Sequence, residues 1–300
     1  MAAECKVLIP LDGSKLAEHS LAYVPALRPL GLTEVELVSV IEPESVPARR
    51  GHEDEERERN LLNTYLQKIA GEMHAHTTLD VKTRVLAGPA PQVIIQEAET
   101  YRPDFLVIST HGSSGLTRWR FGSVADKVIR GAEWPTIVVG PTAAEHESWL
   151  EERLMPVFRT VLVPLDGSEL AEQALPQARR FLEAFGAQLH LVSIVTLGSL
   201  GLNDAWAGVS KQLTDDLTSD AGEYLKGVRD HAQGLGEPLL AVRFGSPAEA
   251  LEDYVSENAI DLVIMTSHGR SGFVRTALGS TTDRLLGGAA PVLIVRGSGD

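Results

Sequence analysis

The sequence predicts an α/β protein built as a tandem repeat: two open five-stranded parallel sheets, each with helices on both faces. Three observations carry that expectation. The chain is written twice. Residues 5–14 read CKVLIPLDGS and residues 159–168 read RTVLVPLDGS; residues 109–123 read STHGSSGLTRWRFGS and residues 266–280 read TSHGRSGFVRTALGS; WPTIVVG and APVLIVRG close the copies in the same order. Within each copy, short apolar runs alternate with amphipathic stretches, the pattern of parallel strands joined by crossover helices. Finally, 300 residues are too many for one ordinary core and suit two domains of roughly 100–200 residues. The repeat, about 145 residues long, exceeds any solenoid unit, so a duplicated whole domain is expected. Its copies are expected at 1–142 and 158–300, joined by a linker at 143–157.

The elements of the first copy follow in order. Val7–Leu11 is a short apolar run ended by Asp-Gly, which suits a buried parallel strand. Ser14 caps a helix running through Leu16, Ser20 and Val24. Val35–Ile41 is the second strand. Glu53 to His76 is helical, with Leu61, Leu62, Tyr65, Leu66 and Ile69 on one stripe, and its acidic start favours the helix dipole. Val81–Ala87 is the third strand, and Pro91–Tyr101 a helix with Val93, Ile94 and Ala98 inward. Phe105–Ser109 is the fourth strand, Ser123–Arg130 a helix and Thr136–Val139 the fifth strand. The second copy repeats this from Val161 to Val295. In the linker, Trp149, Leu150 and Leu154 lie at roughly helical spacing.

Composition removes several functions. The net charge of −14 repels a phosphate backbone, so nucleic acid is not an expected partner, and a small anion would need a local cradle. The single cysteine, Cys5, rules out an internal disulfide framework or a zinc site of several thiolates. No apolar run approaches the ~20 residues that span a bilayer, and Met1 to Lys6 lack an apolar signal core. The expected location is the cytoplasm, with no membrane partner.

Two features recur in both copies. One is an aspartate at the end of the first strand, Asp12 and Asp166, followed by Gly-Ser. The other begins at the end of the fourth strand: Ser109-x-x-Gly112, nine residues, then Gly122-Ser123, and Thr266-x-x-Gly269, nine residues, then Gly279-Ser280. Gly112 and Gly115, with Gly269 and Gly272 in the second copy, let a ligand approach the backbone closely. Gly122-Ser123 and Gly279-Ser280 fall at helix starts, where free N–H groups suit a phosphate. In an open parallel sheet, ligands bind beyond the carboxyl ends of the strands, where the strand order reverses. If strands one and four are neighbours, Asp12 reaches a ribose hydroxyl or a metal-bound phosphate there. The plain structural alternative is a turn plus two helix caps. His74 and His76 point to different helix faces and make a poor metal pair. His111 and His268 read as loop anchors. Arg118 and Arg275 either meet phosphate or pair with Asp126 and Asp283. Trp119 and Trp134 read as packing residues.

These residues resemble the universal stress protein family, whose pattern is V-P-x-D-G-S near the start and later G-x-x-G, nine residues, G-[ST]. The resemblance covers nearly the whole chain, once per copy. It implies strand order 3-2-1-4-5 and ATP in the crevice. It implies ribose contact by Asp12, adenine contact by the backbone of Val40, and phosphates held by Gly112, Gly122, Ser123 and Val124. The matching positions are Asp166, Ile194, Gly269, Gly279, Ser280 and Thr281. Ser109 and Thr266 depart from the pattern's first glycine.

The expected function is therefore a stress-response protein binding ATP in each domain and acting as a nucleotide-dependent regulator. No general base, catalytic lysine or metal cluster stands out. Asp12 and Asp166 reach a magnesium ion only through the phosphates of Mg-ATP, which leaves slow hydrolysis open. The alternatives are an interaction module of the same fold with empty or non-ATP sites, which Ser109 and Thr266 favour, and a slow ATP hydrolase or transferase. By resemblance the two domains pair as an intramolecular pseudo-dimer through their fifth strands, and a homodimer is compatible with this.

Overall fold

The computed structural model describes residues 4–42, 52–110, 122–144, 150, 153–196, 211–266 and 279–297. The chain divides into two compact units, residues 1–157 and 158–300. The first holds strand β1 (Cys5–Pro10), short helices α1 (Lys15–Glu18) and α2 (Tyr23–Ala26), and β2 (Leu32–Ile41). It continues with α3 (His52–His76), β3 (Asp80–Ala87), α4 (Ala90–Tyr101), β4 (Phe105–Ser109), α5 (Ser123–Gly131), β5 (Thr136–Val139) and α6 (Pro141–Ala144). The second holds β6 (Thr160–Pro164), α7 (Glu169–Glu172), α8 (Leu175–Phe185), β7 (Gln188–Val195) and α9 (Lys211–His231). After these come β8 (Leu239–Phe244), α10 (Pro247–Glu257), β9 (Leu262–Thr266), α11 (Ser280–Leu285) and β10 (Val292–Val295). Among the described residues, no helix is long and apolar enough to cross a membrane.

Within the first unit the strands run β3-β2-β1-β4-β5, and within the second β8-β7-β6-β9-β10. Both follow the expected order 3-2-1-4-5, and the pairings are parallel. The first strand is central because its residues have no polar face to offer water. Val7, Leu8 and Ile9, like Val161, Leu162 and Val163, are fully buried, as a sheet covered on both sides requires. An aspartate fixes the register at the amino end of each sheet. Asp104 accepts from the Lys6 N–H at 2.9 Å, and Asp261 from the Thr160 N–H at 2.8 Å. Chain order leaves β1 in one direction for β2 and β3, and in the other for β4 and β5. The reversal therefore lies between β1 and β4, and between β6 and β9.

Three expectations need correction. The helix expected through Leu16, Ser20 and Val24 is broken into α1, a 3₁₀ turn at His19–Ala22, and α2. Pro25 has no N–H for an i→i−4 bond, and the Ser20 hydroxyl takes the Ala17 carbonyl at 2.6 Å, so the segment tightens. On α3, Leu66 and Ile69 are buried but Leu61 is 64% exposed. The inward stripe runs through Leu62, Tyr65, Leu66, Ile69 and Met73, and Leu61 falls about 100° outside it. Leu154, expected on a linker helix, lies outside any helix and is exposed. Arg153 before it takes a positive φ of 58°, which an α-helix does not admit. Cys5 is buried in β1.

Candidate functional site

Each unit has a cleft at the carboxyl ends of its central strands. In the first it measures about 310 Å³ and is lined by Asp12, Val40, Ser109, Gly122, Ser123 and Val124, together with Glu42 and Thr110. In the second it measures about 720 Å³ and is lined by Asp166, Ile194, Thr266, Gly279, Ser280 and Thr281, together with Asp220 and Tyr224. Residues separated by more than a hundred positions in sequence thus meet around one space, twice. Gly112, Gly115, Gly269 and Gly272 lie outside the described residues, as do His111, Arg118, Trp119, His268 and Arg275.

The Asp-Gly-Ser segment is a built turn. Gly13 and Gly167 sit at φ 82° and 83°, the left-handed region where a side chain is strained. Asp12 Oδ1 accepts from the Ser14 N–H at 2.9 Å, and Asp166 Oδ1 from the Ser168 N–H at 3.0 Å and the Ser168 hydroxyl at 2.6 Å. The serines in turn cap α1 and α7, accepting from Ala17 N–H and Ala171 N–H, each at 3.1 Å. These serines therefore serve their own helices, while the aspartates are carried to the cleft. Ser168→Ala is expected to destabilise the second unit by about 1 kcal/mol, read as a lower urea midpoint.

The second pair of helix starts is arranged differently. Helices α5 and α11 begin behind Gly122 and Gly279, and neither has a side-chain cap. Their first N–H groups have no partner within the helix and carry the positive end of its dipole. The Gly122 N–H donates to the Thr110 carbonyl at 2.7 Å, and the Thr110 N–H to the Val139 carbonyl at 3.0 Å. The chain therefore leaves β4 and returns to the same point, which fixes the start of α5 at the cleft. At Gly279 the backbone is ordinary, with φ −65° and ψ 152°. Among the described residues, a Cβ placed there would meet only Thr282 Oγ1, at 4.0 Å. Neither the backbone nor the described neighbours ask for glycine at this position.

Several other candidates have other roles. Asp126 is paired with Arg130 one turn along α5, at 2.7 Å. His74 Nδ1 meets the Ala70 carbonyl at 2.9 Å, and His76 faces Glu72 at 4.0 Å. Among the described residues no group of three or more His, Cys, Asp or Glu could hold a metal ion. Sequence reasoning missed Tyr224, which reaches the cleft from α9, and Glu42, whose carboxylate accepts from the Ala90 N–H at the start of α4, at 3.2 Å. A tyrosine in the middle of the long helix of each copy was the available signal.

Comparison with known proteins agrees with the fold. The model of the universal stress protein family matches residues 5–140 and again 158–296. A universal stress protein of Mycolicibacterium smegmatis is 25% identical over 98% of this chain and 98% of its own. One from Methanocaldococcus jannaschii is 26% identical over 47% of this chain and 83% of its own. The crystal structure of a universal stress protein from Archaeoglobus fulgidus superimposes with a TM-score of 0.67 at 20% identity. It covers 98% of this chain and 96% of that one. With both units matched and the same sheet order in each, the chain belongs to the universal stress protein family, as a tandem of two of its domains.

Proposed function

We propose that the chain is a cytoplasmic stress-response protein that binds one ATP in each unit and acts as a nucleotide-dependent regulator. The observation that carries this reading is the uncapped helix start behind Gly279. Its backbone needs no glycine and the described residues leave room for a side chain, yet a phosphate approaching the Ser280 and Thr281 N–H groups would need that room empty. Gly122, with φ −56° and ψ 139°, stands in the same relation to Ser123 and Val124. In this reading Asp12 and Asp166 accept from the ribose hydroxyls, and the ends of β2 and β7 at Val40 and Ile194 flank the base. Magnesium, where it accompanies ATP, would be held mainly by the phosphates, with Asp12 or Asp166 as the protein groups that would reach it. The −14 charge makes these local amides, rather than the surface field, the source of affinity.

Equilibrium dialysis of the full chain against labelled ATP tests this directly. Two equivalents bound per chain are expected. No binding at millimolar ATP would overturn the proposal.

A further inference from the structure

Tyr224 stands on α9, far in sequence from the Asp-Gly-Ser turn, and lines the cleft of the second unit. Its hydroxyl donates to Glu172 Oε1 at 2.9 Å. Glu172 closes α7, the short helix that starts from the turn itself. The phenol oxygen also faces the Gly167 N–H, and burial, with the Glu172 bond and the Glu172 and Asp166 charges added to it, pushes its ionisation upward. The phenol thus stays a donor. Asp166 is bound to both the N–H and hydroxyl of Ser168, so the turn is held from its own side by Ser168 and from the opposite side by the long helix.

The first unit places a tyrosine in the same region without that bond. Tyr65 on α3 lies near Glu18 and Asp12, but its buried hydroxyl has no hydrogen-bond partner among the described residues. Glu18 and Glu172 occupy the same place in Leu-Ala-Glu, two residues on from Leu16 and Leu170. The copies have diverged elsewhere in their buried polar residues. Glu36 and Glu97 of the first unit stand where the second has His190 and Tyr254: the former pair is four residues before Val40 and Ile194, the latter seven before Asp104 and Asp261. Among the described residues, a tyrosine bound to the glutamate beside the turn is a feature of the second unit.

We infer that Tyr224 is a positioning residue for recognition of a ribose diol: through Glu172 it holds the turn that presents Asp166. The inference rests on the nucleotide reading above and adds to it the group that sets ribose selectivity. A carboxylate accepts from two neighbouring hydroxyls only if its backbone is fixed, because each hydrogen bond weakens steeply with misalignment.

The test compares ATP with 2′,3′-dideoxy-ATP on the full chain. Tyr224→Phe is made in a chain whose first site is closed by Gly122→Asp, so that the second site is read alone. Phenylalanine keeps the ring packing and removes one oxygen. The variant is expected to bind ATP roughly five- to tenfold more weakly and dideoxy-ATP within about twofold of the same chain with Tyr224 intact, so the preference for the diol collapses. In a second variant, Glu172→Gln, the amide oxygen still accepts from the phenol, and the preference is expected to survive. Equal loss for both nucleotides, or unchanged preference in the phenylalanine variant, overturns the inference. A parent chain that binds neither nucleotide overturns the nucleotide reading itself, a result distinct from the other two.

Discussion

Changing Gly122 and Gly279 to aspartate is expected to abolish ATP binding, by more than about a hundredfold or roughly 3 kcal/mol, while the units stay folded or gain slightly in stability. The two effects have opposite signs because one side chain acts on both. The backbone at each position is extended, φ −56° and ψ 139° at Gly122 and φ −65° and ψ 152° at Gly279, which is the conformation an N-cap residue takes. Aspartate is among the best caps and exceeds glycine by a few tenths of a kcal/mol. Its charge also suits the positive end of the helix. At Gly279 the added Cβ meets only Thr282 Oγ1 at 4.0 Å among the described residues, so packing does not oppose it. The bond from the Asp283 N–H to the Gly279 carbonyl, at 2.9 Å, uses backbone that the substitution leaves in place. The new carboxylate, however, takes the N–H groups a phosphate would use and repels the phosphate as well. Urea unfolding and ATP dialysis on the same preparations read the two effects separately. Unchanged ATP binding in a folded variant would show that the phosphates are held elsewhere. Gly167 is the useful contrast. At φ 83° any side chain there strains the turn, so loss of binding would carry no information about contact.

The sheet was legible because a doubly covered parallel strand leaves a plain trace. Val-Leu-Ile-Pro and Val-Leu-Val-Pro are unbroken apolar runs that no half-exposed strand would show. The strand ends were marked by Asp-Gly and Gly-Ser in both copies, and this placed Asp12, Ser109 and Gly122 around one crevice, while Val40 followed from the family resemblance alone. What was not legible depended on reach across the fold. Tyr224 meets Glu172 across 52 residues, and apart from a tyrosine in the long helix of the other copy nothing marks it as different from a packing residue. The break after Glu18 depended on a proline and a serine acting together. Glu36 was hidden for another reason: within Val-Glu-Leu-Val-Ser it reads as the solvent-facing residue of a strand, and helix α4 covers it instead. The exchange of Glu36 for His190 between copies was visible, but only the structure shows that both positions are inside.

That buried position carries the second large expected effect. Glu36→Gln is expected to stabilise the first unit by about 3 kcal/mol at pH 8 and to leave it nearly unchanged at pH 4.5. Glu36 on β2 is 4% exposed, and its Oε2 has no hydrogen-bond partner among the described residues. Glu97 of α4, also buried, faces it, while Arg84 of β3 is bound to Glu97 at 2.6 Å. Lys82 of β3 lies opposite Glu36 in register but is bound to Glu34 at 2.7 Å. Burial, with the Glu97 charge added to it, raises the Glu36 carboxyl from 4.5 to about 7 against the pull of Arg84. Between those values the folded unit keeps a proton that the unfolded chain releases. Stability therefore falls as pH rises from 4.5 to about 7 and stays low above it. Glutamine imitates the protonated acid, donating to Glu97 without a charge, and so removes the slope. The second unit should lean the other way. There His190 Nδ1 lies 2.9 Å from the Tyr254 hydroxyl, and burial lowers the His190 pKa. Its stability contribution is present above the ordinary histidine range and is lost as pH falls through it. Hydrogen exchange of the β2 and β7 amides, variant against parent at each pH, separates the two units in the intact chain. Slower exchange in β2 at pH 8 but not at pH 4.5, with β7 unmoved, is the expected result. An equal change at both pH values would mean that Glu36 is already ionised in the folded protein and that Arg84 outweighs its burial.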